Sequence, residues 1–359
     1  MNVQAAATAT HIPVAAVRGL IVDAMRKCGV PEADAGKIAE LMLEADLSGA
    51  DAHGVFRLPQ YVHRLKIKST NARPDIKVNR TAPATALVDG DNGMGHLVVA
   101  RAMDTAIALA REAGVAWVGM HRSNHAGAAG VYAALALKAD MVGIYAAVAN
   151  ANHMPLDGGA EPLLGTNPIA IAIPAGKEPP LVLDIATSIV SYGTVKNHRL
   201  LNKPLAADWM VDPKTGGAVI DAQASAAALL LPMAGYKGAG LALMIGLLAG
   251  TLNGALFGRD CVDFNAEPGK VTNTGQFVVA LDPARFQKLD HFKAEVDRHI
   301  RELRASKTLP GRSVRLPGEE RARRQTDRRK NGLVLPPELT KQLDALAAEL
   351  AITPLAQRG

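Results

Sequence analysis

The stretch "GVAWVGMHRSNHAGAAGVYAALALKADMVGIYAAVAN", residues 114–150, sets two apolar runs on either side of a middle rich in Gly and Ala. The first run, 114–120, and the last, 141–150, are β-branched and aromatic in character and read as strands. Residues 127–140 between them read as a helix. The same alternation continues on both sides. "TALVDG" (85–90) predicts a strand and 97–113 a helix. "NPIAIAIP" (167–174) and "PLVLDIA" (180–186) predict two more strands. Residues 237–257 predict a long apolar helix with small residues along one side, and "GQFVVALDP" (275–283) a late strand. Strands alternating with helices predict a layered α/β domain.

The ends of the chain differ. Residues 12–47 predict two helices. The first has apolar residues at 17, 20, 21, 24 and 25 and stops at Gly29. The second opens at Pro31 with acids in its first turn and stops at Gly49. Residues 286–305 and 336–350 return to helix. Residues 1–75 with 286–359 are therefore expected to form a helical domain, into which an α/β domain, 76–285, is inserted. No fixed-period repeat interrupts this pattern.

The chain has 359 residues, more than one small core needs. Apolar residues make up 48% and aromatics only 4%, so Ala and Leu do much of the filling. Cys28 and Cys261 lack CxxC spacing and read as reduced thiols. Residues 1–20 lack the charged start and apolar core of a leader, and runs such as 225–234 are too short to cross a bilayer. The expectation is a soluble cytoplasmic protein with no membrane partner. Net charge is +6. "RARRQTDRRK" (321–330) carries six basic groups against one acid and reads as a solvated helical face. Nucleic-acid binding through that run is the rival reading, but no aromatic interleaves it. The general basic excess suits an anionic small molecule.

Several stretches carry chemistry. In "ADAHGVFRLPQYVHRLK" (50–66), His53, Arg57 and Tyr61 recur every four residues and would share one face of a helix. Pro59 either kinks that helix or begins it. Arginine grips carboxylates with a planar fork, and histidine exchanges protons near neutral pH. The set suits a small carboxylic acid with a reactive oxygen nearby, and an exposed polar face is the plain alternative. In "HRSNHAGAAG" (121–130), His121 and His125 have metal-ligand spacing, but no HExxH is present and the stretch reads as a loop entering a helix. A histidine there can polarise a carbonyl oxygen. "GDNGMGH" (90–96) is a turn and not a GxGxxG fingerprint, so any dinucleotide binds by other means. Thr166, Asn167, Asp184, Thr187 and Ser188 lie at predicted strand ends, where α/β folds place ligands. Asp184 sits among apolar residues and is expected to need partners. Lys237, between glycines at a helix start, suits a phosphate. A rival metal-hydrolase reading draws on His53, His121, His125 and His153; no metal is expected.

Together, "HGVFRLPQYVHRL", "RSNHAGAAG", "EPLLGTNPIAIAIP", "VLDIATS", "GYKGAGLALM" and "VRLPGEE" (314–320) resemble the malate/L-lactate dehydrogenase family that lacks a Rossmann fold. The resemblance covers about residues 12–335. It implies a non-Rossmann mixed-sheet dinucleotide-binding domain, working as a homodimer with NAD or NADP. It also implies hydride transfer to C2 of a small 2-oxo acid or back from a 2-hydroxy acid. Related members reduce cyclic imino acids such as Δ1-piperideine-2-carboxylate or Δ1-pyrroline-2-carboxylate. By the same resemblance His53 is the proton donor, His125 lies beside the reacting oxygen, and Arg57 holds the substrate carboxylate with Tyr61 nearby. Cofactor contacts are implied at Asn150, Thr166, Asn167, the strand end Val182, Leu183, Asp184, Ile185 and Ala186, then Tyr236, Lys237, Glu319, Glu320 and Arg321. Two positions depart from the pattern. Asp157 stands where relatives often carry Trp, and Ala52 where many have Ser.

Overall fold

The computed structural model describes residues 11–358. The leader reading of the first ten residues lies outside the described residues. Helices α1 (Val14–Lys27), α2 (Glu32–Leu47) and α3 (Leu58–Lys66) open the chain. Then come strands β1 (Lys77–Ala82) and β2 (Thr85–Asp89), helix α4 (Gly95–Ala113), strand β3 (Val115–Ser123), short helix α5 (Ala129–Ala133) and strands β4 (Val142–Ala147), β5 (Ile169–Ile173) and β6 (Leu181–Ile185). Helices α6 (Tyr192–Leu200) and α7 (Tyr236–Ala249), strand β7 (Thr274–Leu281) and helices α8 (Leu289–Arg304), α9 (Glu319–Asn331) and α10 (Pro337–Glu349) complete it.

The described chain forms two compact units. One holds the residues up to Lys68 together with those from Glu319 onward; the other is Ser69–Gly318. In the helical unit α1 and α2 pack through Leu20, Ile21, Met25, Ile38, Leu41 and Met42, all essentially without exposed surface. Both helices end where expected. Gly29 and Gly49 follow them with φ of 88° and 83°, a left-handed turn that costs other residues a Cβ clash. The basic run lies on α9, and four of its six basic groups form ion pairs within this unit. Arg323 and Arg324 pair with Glu320, Arg328 with Asp51, and Arg329 with Glu44.

The larger unit is built on a seven-stranded mixed sheet in the order β1-β2-β3-β7-β4-β5-β6. Only β2 and β3 run parallel, joined through α4; every other neighbouring pair is antiparallel. The last strand in sequence, β7, occupies the centre, with Phe277 opposite Gly119 on one side and Ala146 on the other. On the face carrying Phe277, α7 packs Ile245 and Ala249 against it, and Trp117 stacks on its ring with centroids 4.1 Å apart.

Residues 286–318 count with the sheet unit, although their helix was expected with the terminal ones. Asp297 of α8 explains this. Its carboxylate accepts N–H bonds from Gly176, Lys177 and Glu178 at 2.9, 2.7 and 3.1 Å, which ties α8 to the β5–β6 turn. The apolar helix over 237–257 is also shorter than its hydropathy predicts. Asn253 is buried, and its amide donates to the carbonyls of Leu248, Ala249 and Gln276, closing α7 at Ala249. Among the described residues no helix is long and apolar enough to cross a membrane.

Candidate active site

In the helical unit, His53, Arg57 and Tyr61 do not share one α-helical face. His53 ends a 3-10 turn, Asp51–His53; Arg57 ends a second, Val55–Arg57; only Tyr61 lies on α3. Pro59 begins the helix, in its first turn. The break falls at Gly54, between the two turns. A Cβ there would lie 2.0 Å from an Asp46 carboxylate oxygen, so any other residue would have to push that carboxyl aside. The other Asp46 oxygen accepts the Val55 N–H at 2.9 Å.

Arg57 is held by its own neighbourhood. Its Nε donates to the Ala52 carbonyl at 2.9 Å and Nη1 to Gln60 Oε1 at 3.0 Å, with the Phe56 ring 5.7 Å from the guanidinium carbon. The fork is thereby oriented before any ligand arrives. His53 is half-buried. Burial, and then the Arg57 cation, push its imidazole down to about 4. It is therefore a neutral ring at physiological pH. Tyr61 is fully buried, and burial pushes its phenol up. At the start of α9, Glu320 faces Arg323 and Arg324, whose hydrogen bonds hold its carboxyl down at about 2.

In the sheet unit, His125 follows β3. The Gly127 N–H donates to its Nδ1 at 3.4 Å, and Phe264 stacks beside it with centroids 5.4 Å apart. The Asn124 backbone is clamped. Its side-chain amide donates to the Asn92 and Gly93 carbonyls, its Oδ1 accepts from Thr272, and its carbonyl accepts from Gln276 Nε2. Asn150 joins the same network. Its amide donates to Thr274, whose hydroxyl donates to Thr272, and its carbonyl accepts from Phe264 N–H. Asn150 and His125 are thus linked through Phe264. Among the described residues no three His, Cys, Asp or Glu side chains gather as metal ligands. His153 instead stacks flat on Tyr192, with ring centroids 3.8 Å apart.

A second cluster lies where β6 ends and α7 begins. Thr166 and Thr187 are joined by a backbone hydrogen bond, and the Thr187 carbonyl accepts from Met233 N–H. Asn167 is fully buried, and both ends of its amide are engaged, donating to Ala242 of α7 and accepting from Ala149. Gly238 lies so close that a Cβ would sit 2.2 Å from the Met233 carbonyl and 2.9 Å from that of Thr187. Tyr236 and Lys237 stand exposed in the first turn of α7. Asp184 is exposed, contrary to the burial its apolar neighbours predict, because β6 is an edge strand; one oxygen takes the Gly130 N–H at 2.7 Å. Val182 N–H donates to Pro317, so the chain runs along β6 before α9 begins at Glu319.

Sequence reasoning missed Asp46, Gln276 and Thr274. Asp46 did leave a signal. It recurs at four-residue spacing after Ile38 and Met42 on the buried face of α2, where an acid needs a reason.

A mixed-sheet α/β unit with clustered polar strand ends, and a helical unit presenting an oriented arginine near a histidine, suit an enzyme acting on small molecules, and its class, an oxidoreductase, follows from its family. The chain belongs to the malate/L-lactate dehydrogenase family, which it matches over residues 12–344. It is 37% identical over 333 residues to L-sulfolactate dehydrogenase of Methanocaldococcus jannaschii, covering 93% of this chain and 95% of that protein. It is 33% identical over 330 residues to ureidoglycolate dehydrogenase (NAD(+)) of Escherichia coli O157:H7, covering 91% and 93%. The solved structure of sulfolactate dehydrogenase from Methanocaldococcus jannaschii superposes with a TM-score of 0.88 at 34% identity, covering 96% of this chain and 98% of that one. Both relatives are named for 2-hydroxy acids.

The residues at the β6–α7 junction fit a nicotinamide dinucleotide. The Thr187 hydroxyl is buried without a hydrogen-bond partner in the protein, a polar atom awaiting a ligand or water. Beside it the first-turn N–H groups of α7 and the Lys237 ammonium suit a pyrophosphate.

Proposed function

We propose that this chain is an NAD- or NADP-dependent dehydrogenase that moves a hydride between the nicotinamide and C2 of a small 2-hydroxy or 2-oxo carboxylate. The observation that carries this reading is the pairing, within five residues, of a pre-oriented guanidinium with an imidazole held neutral. When bound, the nicotinamide supplies the hydride in reduction and accepts it in oxidation.

Arg57 holds the substrate carboxylate and so fixes which face of C2 is offered. His53, neutral before binding, takes the proton from the 2-hydroxyl in oxidation and returns it to the carbonyl oxygen in reduction. The bound carboxylate offsets the Arg57 cation and raises the proton affinity of His53 as the reaction calls on it. In the sheet unit, the His125 imidazole is assigned the stabilisation of charge on a reacting oxygen. Tyr61, on α3, lies near enough to interact with the Arg57 cation.

Lys237, Tyr236 and the N–H groups opening α7 hold the cofactor's phosphates. Within the sheet unit, Asn150, Thr166 and the strand end at Val182, Leu183, Ile185 and Ala186 complete its contacts. Asn167 and Asp184 act by fixing backbone around it, since their polar atoms have protein partners. The frame is read as non-Rossmann: a single parallel pair and a central β7 support that reading. The sheet unit is assigned cofactor binding.

A panel of 2-oxo acids and cyclic imines with NADH and NADPH, followed by loss of reduced-cofactor absorbance, tests the function. Turnover of at least one 2-oxo acid is expected. Turnover of imines alone moves the enzyme to imine reduction, and silence across the panel rejects the reading.

The chain is further proposed to work as a homodimer. Helix α7 carries no charge after Lys237, and Met244, Leu247, Leu248 and Leu252 leave an apolar strip open, with Leu252 63% exposed. Leu248→Glu is expected to shift the light-scattering mass from dimer to monomer. A wild-type chain already monomeric at micromolar concentration rejects this.

A further inference from the structure

Asp46 lies at the last turn of α2, 2% exposed, directly beneath the segment that carries His53 and Arg57. A carboxylate so far from water needs a purpose, because leaving it there costs stability. Burial pushes its carboxyl up to about 8, so it stands mostly protonated at neutral pH. Its two oxygens meet the two residues that follow His53. One accepts the Val55 N–H at 2.9 Å, and the other lies against Gly54 where a Cβ would come within 2.0 Å. Arg328 of α9 closes the same segment from outside, donating to the Asp46 carbonyl and to the Asp51 carboxylate. The two 3-10 turns therefore meet at a point fixed from below by a side chain and from the side by a guanidinium.

We propose that Asp46 is the positioning residue for the reaction: its carboxyl group, bonded to Val55 N–H and seated against Gly54, sets the angle between the turn that presents His53 and the turn that presents Arg57. This rests on the assignment of His53 and Arg57 given above. The geometry explains why the break between the turns is a glycine. It also explains why the imidazole and the guanidinium are four residues apart without sharing a helical turn. The carboxyl group acts through backbone atoms and touches no substrate.

The test compares Asp46→Asn, Asp46→Ala and Gly54→Ala with His53→Ala, using the 2-oxo acid found active in the panel. Asp46→Asn keeps an oxygen for Val55 N–H and is expected to retain kcat within about five-fold. Asp46→Ala is expected to lose about thirty-fold in kcat and to raise KM, with cofactor affinity within two-fold. Gly54→Ala is expected to lose a similar factor, because its methyl displaces the same carboxyl. In the double variant the two losses should not multiply. The His53 imidazole titration, read by NMR without substrate, should move up in Asp46→Ala and Gly54→Ala but not in Asp46→Asn. Where Asp46→Ala is too unstable to assay, Gly54→Ala carries the test alone. Asp46→Ala or Gly54→Ala with wild-type kcat and KM, or Asp46→Asn as impaired as Asp46→Ala, overturns the proposal. An active His53→Ala overturns the site assignment itself, which separates the two failures.

Discussion

Alanine at His53 is expected to lower kcat about 10³-fold while NADH or NADPH binds within two-fold of wild type, a loss within the range for removing a positioned acid–base group. Stopped-flow absorbance and cofactor fluorescence titration together check this, and a variant retaining a tenth of wild-type kcat would discard the assignment. The pH profile adds a second, signed check. The free-enzyme imidazole sits near 4, so kcat/KM for oxidation should rise with pH through that value and stay flat through neutrality. The depression also bears on stability. Between about 6.5, where an unfolded histidine titrates, and about 4, the unfolded chain binds a proton that the folded one refuses. This contribution is present above that window and is lost as pH falls through it.

The second large effect concerns Arg57. Methionine there keeps the length and loses the cation; kcat/KM for the substrate should fall by about 10² to 10³, mostly through KM. Two charge-assisted hydrogen bonds to a carboxylate, at roughly 1.5–3 kcal/mol each, are removed together. Lysine should recover little, because an ammonium lacks the Nε–H that reaches the Ala52 carbonyl and cannot form a fork. The same methionine variant should raise the titration of His53, since the Arg57 cation is one of two causes of its depression. The rise stays partial because burial, the larger cause, remains. Unchanged KM in both variants would leave the clamp without support.

Much of the fold is legible in the sequence. Helices α1 and α2 stop at the glycines their periodicity predicts, and strands β2 to β7 fall within a few residues of the apolar runs that mark them. Local pattern fixes these because each element's apolar face repeats at its own period. Strand β1, with the exposed pattern of "KVNRTA", has no such face and is invisible without its partner β2. The allegiance of α8 was equally hidden, since it depends on Asp297 meeting three N–H groups some 120 residues earlier in the chain. The candidate site was legible as a list of residue types but not as a shape. Four-residue spacing suggests one helix face for His53, Arg57 and Tyr61. The turn at Gly54 breaks it, and the cause is a side chain from another helix. Asp184 shows the converse. Apolar neighbours suggest burial, but an edge strand leaves it in solvent.

The central place of β7 has a consequence for how the protein is made. Until residues 274–281 leave the ribosome, β3 and β4 each present a bare hydrogen-bonding edge, and the sheet exists only as two halves. The nascent chain must carry those sticky borders through the synthesis of over a hundred further residues after β4, with long-range closure arriving last. A stop codon or a proteolytic cut just before Thr274 should therefore yield aggregation-prone material, not a trimmed but soluble domain.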